Sequence, residues 1–162
     1  MESNSAGWSA IITLRLPRAV AAMVATPEPV PVAAIPPLRV LVVDDDPVVA
    51  ESMVVFLGLE GHQVRSAASG EAALNLMGEY RPQVVLLDIG LPGLDGYEVA
   101  RRIRRLPGGD AVKLVAVSGY GHAEALGRSQ EAGFDRHLVK PVAAEVLDQM
   151  LAEFTWLSPA LP

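Results

Sequence analysis

The chain has 162 residues, no Cys, and a formal net charge of −6 from 13 basic and 19 acidic side chains. That length suits one domain with an appendage, and two full-sized domains are not expected. The absence of Cys excludes a disulfide scaffold, a Cys-ligated zinc site, an iron–sulfur cluster and a cysteine nucleophile, while the acidic balance argues against nucleic acid as the main partner.

The N-terminal part of the chain differs in composition from the rest. Residues 1–37 hold six of the 13 Pro and have no net charge, so the whole acidic excess lies beyond them. Residues 26–37 are typical of an extended linker, and the apolar run at 19–25 is shorter than the ~20 residues that cross a bilayer. We therefore predict a flexible Pro/Ala-rich leader or linker over 1–37, a globular domain over 38–154 and a tail over 155–162, in the cytoplasm.

Strands and helices are predicted to alternate along the globular part. Five apolar segments are the predicted strands, at 38–43, 62–66, 84–87, 114–117 and 135–139. The helices between them are predicted from Pro47 to Gly58 or Gly61, from Ser69 to Gly78, from Asp95 to Arg105, from His122 to Ala132, and from the residue after Pro141 to Phe154. Near-continuous apolar strands are typical of a parallel sheet that is buried on both faces, which predicts a doubly wound α/β domain.

Polar side chains follow four of the predicted strands. Asp44 and Asp45 follow the first, Asp88 the third, Ser118 the fourth and Lys140 the fifth. Ligands of such sheets bind at the carboxyl ends of the strands. Crowded carboxylates repel one another unless a cation neutralises them, and oxygen ligands without His or Cys favour Mg²⁺. A carboxylate beside Mg²⁺ can accept a phosphoryl group, while Lys and Ser can bind its oxygens. A purely structural ion network is the alternative.

Four stretches of the sequence resemble the receiver domain of bacterial response regulators. They are VLVVDDDP (40–47), LLDIGLPGLDGYE (86–98), VSGYG (117–121) and LVKP (138–141). The resemblance covers residues 38–154 and implies a flavodoxin-like sheet of five strands in the order 2-1-3-4-5, flanked by five helices.

The resemblance also implies the roles of the site residues. Asp88 is the phosphoacceptor, Asp45 binds Mg²⁺ directly, Asp44 supports the metal through water, the backbone carbonyl of Gly90 is another ligand, and Lys140 pairs with the phosphoryl group. Mn²⁺ is expected to substitute for Mg²⁺.

Two further positions are assigned to switching by the resemblance. Ser118 supplies the hydroxyl that turns toward the phosphoryl group. His137 occupies the position of the aromatic switch residue, where His offers less apolar area than Tyr or Phe. A cis bond is expected before Pro141.

The partners follow from the same resemblance. The donor is a phosphohistidine of a sensor histidine kinase or a histidine phosphotransfer protein. A downstream protein is expected to bind the surface of the fourth helix, fifth strand and fifth helix, with no nucleic-acid partner and no membrane insertion. No output domain is expected, because about eight residues follow the fifth predicted helix.

Two other functions remain open at the level of sequence. The first is a phosphatase that forms an aspartyl-phosphate, but its acid/base Asp would stand two residues after the nucleophile, where this chain has Gly90. The second is a receiver-like interaction module that is never phosphorylated. That module predicts a broken site, whereas every expected polar residue is present here. We therefore expect a signalling phosphoacceptor and no enzyme beyond labelling by small donors and loss of its own phosphoryl group.

Several other polar residues are expected to be structural. Asp46 and Asp95 are predicted N-caps, and Gly93 and Gly96 are predicted turn residues. The remaining candidates are expected on solvated surfaces, and they are His62, His122 and the basic run Arg101, Arg102, Arg104 and Arg105.

A second resemblance lies in the leader. Residues 7–18, GWSAIITLRLPR, are similar to the last strand of the ATP-binding domain of sensor histidine kinases. In hybrid kinases such a strand precedes a linker and then a receiver, so the resemblance implies the C-terminal piece of a hybrid kinase. An unstructured extension is the alternative.

Overall fold

The computed structural model describes residues 36–119 and 123–157. The predicted leader therefore falls almost wholly outside the described residues, as do the kinase-like strand at 7–18, His122 and the tail beyond 157. Within the described ranges, no helix is both long and apolar enough to span a bilayer.

Strands and helices alternate as predicted. The strands are β1 (Arg39–Val43), β2 (Gln63–Ala67), β3 (Val84–Asp88), β4 (Lys113–Ser118) and β5 (Arg136–Val139). The helices are α1 (Pro47–Leu59), α2 (Gly70–Tyr80), α3 (Gly96–Arg105), α4 (Ala123–Ala132) and α5 (Ala144–Leu157), and a short 3₁₀ turn at Gly109–Ala111 was not predicted.

The five strands form one parallel sheet in the order β2-β1-β3-β4-β5, which confirms the predicted fold. Strand β3 lies at the centre, and every residue in it is buried. Its neighbours are in register with it, with Val43 of β1 opposite Leu87 and Val117 of β4 opposite Asp88. The carboxyl ends of β1, β3 and β4 therefore meet at one edge of the sheet.

The sheet separates two apolar cores, because successive side chains of each strand point to opposite faces. One face packs against α1 and α5, with Leu57 and Leu151 fully buried. The other packs against α2, α3 and α4, with Ile103 fully buried. Burial on both faces explains why the strands read as near-continuous apolar runs.

The helix starts follow local sequence rules, whereas two helix ends do not. Asp46 accepts hydrogen bonds from the backbone of the first turn of α1, and Asp95 does the same for α3, which confirms both N-caps. Helix α2 continues through Gly78 and ends before Arg81, which is left-handed with φ of 51°. Helix α5 extends three residues past the predicted end at Phe154.

Two surface predictions are wrong. His62 is only 8% exposed, and its Nδ1 accepts a hydrogen bond from the Leu38 backbone. Arg104 leaves the solvated face of α3 and donates to the carbonyls of Gly133, Gly109 and Val112. Its guanidinium also lies 2.7 Å from Asp135. Arg104 thus ties α3 to the loops before β4 and β5, because five fixed donors suit several carbonyls at once.

Candidate functional site

The polar strand ends predicted from sequence converge at the carboxyl edge of the sheet. The carboxylate oxygens of Asp44, Asp45 and Asp88 lie within 4.8 Å of one another, although 44 positions separate the first from the last. Asp44 and Asp88 are 3% and 8% exposed, while Asp45 is open to solvent. A cluster of this kind offers hard oxygen ligands from one open side, which fits Mg²⁺.

Lys140 neutralises part of this charge. Its Nζ lies 2.7 Å from Asp44 Oδ2 and 2.7 Å from Asp88 Oδ2. Partial burial acts to lower the pKa of the Lys140 ammonium, but its hydrogen bonds to Asp44 and Asp88 and their charges outweigh that effect and raise its pKa. The ammonium therefore stays charged beside the two buried carboxylates. It compensates only one of the three carboxylate charges, so a divalent cation can neutralise the other two.

Backbone groups fix the other oxygen of each buried carboxylate. The Gly90 N–H donates to Asp88 Oδ1 at 2.8 Å, and the Asp46 N–H donates to Asp44 Oδ1 at 3.0 Å. Both carboxylates are thus held from two sides, which limits the rotamers available to them. The predicted role of the Gly90 carbonyl as a metal ligand stays a prediction.

The start of α3 packs directly against the end of β3. A Cβ at Gly96 would lie 2.8 Å from Ile89 Cα and would collide with the Asp88 carbonyl. Gly96 is therefore a close-approach residue and not the turn residue predicted from sequence, whereas Gly93 has the positive φ of 77° that a turn requires. The absence of a side chain at Gly96 sets how closely α3 approaches the end of β3.

Ser118 and His137 are also brought together. Ser118 Oγ lies 2.9 Å from His137 Nε2, across the neighbouring strands β4 and β5. His137 Nδ1 lies 2.8 Å from Ser129 Oγ on α4. Ser129 was not predicted as a site residue, because a lone Ser in a helix eight positions before His137 has no pattern that marks it. The Lys140–Pro141 bond is cis, as expected.

Comparisons with known proteins agree with this geometry. The family model of the response regulator receiver domain matches residues 40–152. The chain is 39% identical over 108 residues to the transcriptional regulatory protein AfsQ1 of Streptomyces coelicolor, which covers 67% of this chain and 47% of AfsQ1. It is 38% identical over 117 residues to the sensor histidine kinase RcsC of Salmonella typhimurium, which covers 72% of this chain and 12% of RcsC. The chain thus spans about half or less of these relatives.

One similar solved structure includes a metal ion. The receiver domain of the sensor histidine kinase PA1611 from Pseudomonas aeruginosa superposes with a TM-score of 0.69 at 28% identity, over 74% of this chain and 98% of that one. That crystal structure has a magnesium ion coordinated in its active-site cleft. Receiver domains bind Mg²⁺ at an acidic pocket, and the aspartate cluster of this chain is of that kind.

The fold and the acidic cluster together define a signalling domain of two-component systems. The chain belongs to the response regulator receiver domain family. Members of this family are phosphoacceptors that interact with histidine kinases or phosphotransfer proteins. Gly90 stands where a phosphatase of the alternative class would carry its acid/base Asp, so that alternative is not favoured.

Proposed function

We propose that Asp88 accepts a phosphoryl group from a phosphohistidine and that this transfer switches the protein contacts of the chain. The observation that carries the proposal is the position of Lys140 Nζ, 2.7 Å from both Asp44 and Asp88, beside the open carboxylate of Asp45. The boundaries of the domain at 38 and 154 and its cytoplasmic location stay predictions.

The residues divide the work of the transfer. Asp45, Asp88 and the Gly90 carbonyl are the proposed direct ligands of Mg²⁺, with Asp44 bound through water; the ion supplies charge neutralisation for the phosphoryl oxygens. A carboxylate oxygen of Asp88 forms a bond to phosphorus while the bond from phosphorus to the donor imidazole nitrogen breaks, and its electron pair stays on that nitrogen. Lys140 then pairs with a phosphoryl oxygen, and Ser118 donates to another.

The proposal also includes a docking surface for the donor. A cavity of about 650 Å³ lies between α1 and the start of α5 and opens beside Lys140. Its lining is mainly apolar and includes Val48, Phe56 and Leu147. A donor protein must bring its phosphohistidine to Asp88, and this cavity adjoins the route to it.

The proposed output surface is formed by α4, β5 and α5, and it shares only α5 with the cavity. It presents three partly exposed apolar side chains, Leu126, Val139 and Val146, at 43%, 45% and 48% exposure. Such side chains suit a protein partner. A two-state equilibrium that is biased by the phosphoryl group would change how this surface is presented.

The test is labelling by acetyl phosphate in the presence of Mg²⁺, followed by intact mass. We expect one added phosphoryl group on the wild-type chain and none on Asp88→Asn. At subsaturating Mg²⁺, Asp45→Asn should slow labelling by about tenfold or more, because one metal ligand loses its charge.

Asp46→Asn is the matched control for Asp45→Asn. It removes a neighbouring exposed charge but keeps an N-cap, since Asn caps as well as Asp. Its labelling rate should stay close to that of the wild type. Full labelling of Asp88→Asn, or equal slowing by the two Asn variants, would contradict the proposed site.

A further inference from the structure

His137 connects two buried serine hydroxyls that come from different elements. Its Nε2 lies 2.9 Å from Ser118 Oγ at the end of β4, and its Nδ1 lies 2.8 Å from Ser129 Oγ on α4. Ser118 and Ser129 are only 5% and 2% exposed. Ser129 Oγ also lies 2.9 Å from the carbonyl of Ala125, one turn earlier in the helix.

For a neutral imidazole, proton counting gives one consistent direction for these hydrogen bonds. The Ala125 carbonyl can only accept, so Ser129 donates its single proton there and must accept from His137 Nδ1–H. The neutral imidazole then has no proton on Nε2, and the Ser118 hydroxyl is the donor of the 2.9 Å bond. In the opposite tautomer the ring proton is on Nε2. The single proton of Ser129 could then serve either Nδ1 or the Ala125 carbonyl, but not both.

We propose that Ser129 is a positioning residue for Ser118, because it sets the tautomer of His137 and thereby directs the Ser118 proton toward the imidazole. This inference rests on the proposed function of Asp88 as the phosphoacceptor. To donate to a phosphoryl group on Asp88, Ser118 must withdraw its proton from Nε2, or the ring must change tautomer and lose its bond to Ser129. Either route breaks one bond of the chain Ser118–His137–Ser129.

The hydrogen-bond chain therefore stabilises the resting state. Its effect on the equilibrium is that of one net hydrogen bond, which corresponds to roughly fivefold. The same three residues link the phosphoryl site to α4, one of the three elements of the proposed output surface. A tautomer change at His137 is thus a local event that reaches that surface through Ser129.

The first measurement is the ring tautomer of His137, read from long-range ¹H–¹⁵N correlation spectra of the wild-type chain. We expect the proton on Nδ1 in the wild type and on Nε2 in Ser129→Ala, since the variant removes the acceptor for Nδ1–H. A proton on Nε2 in the wild-type chain would overturn the inference. This measurement needs no phosphorylation, so it fails or succeeds independently of the proposed function.

The second measurement is the rate of labelling by acetyl phosphate. Ser129→Ala should raise it by about fivefold, because the ring then donates to Ser118 and Nε2 no longer holds the Ser118 proton away from the phosphoryl group. Thr155→Ala is the matched control, since Thr155 Oγ1 makes the same bond to the carbonyl one turn earlier, at 3.0 Å from Leu151. That variant should leave the rate unchanged.

A double-mutant cycle separates positioning from a purely structural effect. In a His137→Phe background, Ser129→Ala should leave the labelling rate unchanged, because the link to Ser118 is already absent. An equal effect of Ser129→Ala with and without His137, or no effect in either, would overturn the inference. Circular dichroism checks that the variants fold. If Ser129→Ala does not fold, the tautomer of His137 in the wild-type chain alone tests the inference.

Discussion

At the scale of single residues, burial decides how His62 responds to acid. The side chain is 8% exposed, and its Nδ1 accepts the Leu38 N–H at 3.2 Å. Burial lowers the pKa of His62 below 6.5, although the charges of Asp148 and Glu60 partly oppose this. A proton on Nδ1 would also remove the acceptor for the Leu38 N–H. The folded state therefore prefers the neutral ring.

The pH dependence of stability should reveal this preference. Because the folded pKa of His62 is lowered, its contribution to the free energy of unfolding is fully present above the unfolded pKa of about 6.5 and is lost as the pH falls from there through the lower folded pKa. One such group contributes a slope of at most about 1.4 kcal/mol per pH unit. Urea unfolding at pH 7 and pH 5 should show a larger loss for the wild type than for His62→Gln.

The Gln variant serves as its own control, since every other titrating group is common to both chains. The difference between the two free energies of unfolding should stay constant from pH 7 to pH 8 and change only in acid. If the free energies of unfolding of the two chains ran parallel down to pH 5, protonation of His62 would not affect stability.

At the scale of elements, two helical glycines should respond oppositely to the same substitution. Gly78 lies on the exposed face of α2, and a Cβ there would meet nothing within 4 Å. A Cβ at Gly96 would meet the backbone of Asp88 and Ile89. Helix propensity favours Ala in both places, but only α2 has room for it.

We therefore expect Gly78→Ala to raise the free energy of unfolding by about 0.5–1 kcal/mol. Gly96→Ala should lower it by about 1–3 kcal/mol, because α3 and the end of β3 must move apart. It should also slow the labelling of Asp88, whose carbonyl lies at that contact. Thermal unfolding and the labelling rate test both effects, and stabilisation by Gly96→Ala would show that the close approach does not constrain the strand end.

The features that could be predicted from sequence are those set by neighbouring residues within one element. The strands and their polar ends were predictable, because apolar runs and the residue that follows each run are local properties of the chain. The N-caps at Asp46 and Asp95 were predictable for the same reason, since a cap bonds to residues two or three positions later.

The two wrong surface predictions concern residues whose partners are distant in the chain. Arg104 binds Gly133 and Asp135, about 30 positions later, and His62 binds Leu38, 24 positions earlier. Nothing near either residue marks those partners. No local pattern marks Ser129 either, because its role depends on the packing of α4 against β5. Sequence patterns and the family resemblance thus located the carboxylates, the lysine and the pair Ser118 and His137, but not Ser129, which contacts His137.

At the scale of the whole molecule, the proposed input and output surfaces share α5 but otherwise use different elements. The cavity beside Lys140 is lined from α1 and from the start of α5. The exposed Leu126 belongs to α4, which packs on the other face of the sheet with its Ala132. A donor protein and a downstream partner could therefore recognise the chain through separate side chains.

Truncation of one side chain on each surface should separate their roles. Val48 lines the cavity and is 71% exposed, so Val48→Ala should reduce kcat/KM for transfer from a phosphohistidine protein by about fivefold to tenfold, as for a central contact residue. Labelling by acetyl phosphate should not change, because the carboxylates and Lys140 stay in place.

Leu126→Ala is the matched control and should leave both rates unaltered. The donor is any purified phosphohistidine protein that labels the wild-type chain. Equal loss with both phosphate sources would place the effect of Val48 in the chemistry, and loss only in Leu126→Ala would place donor docking on α4.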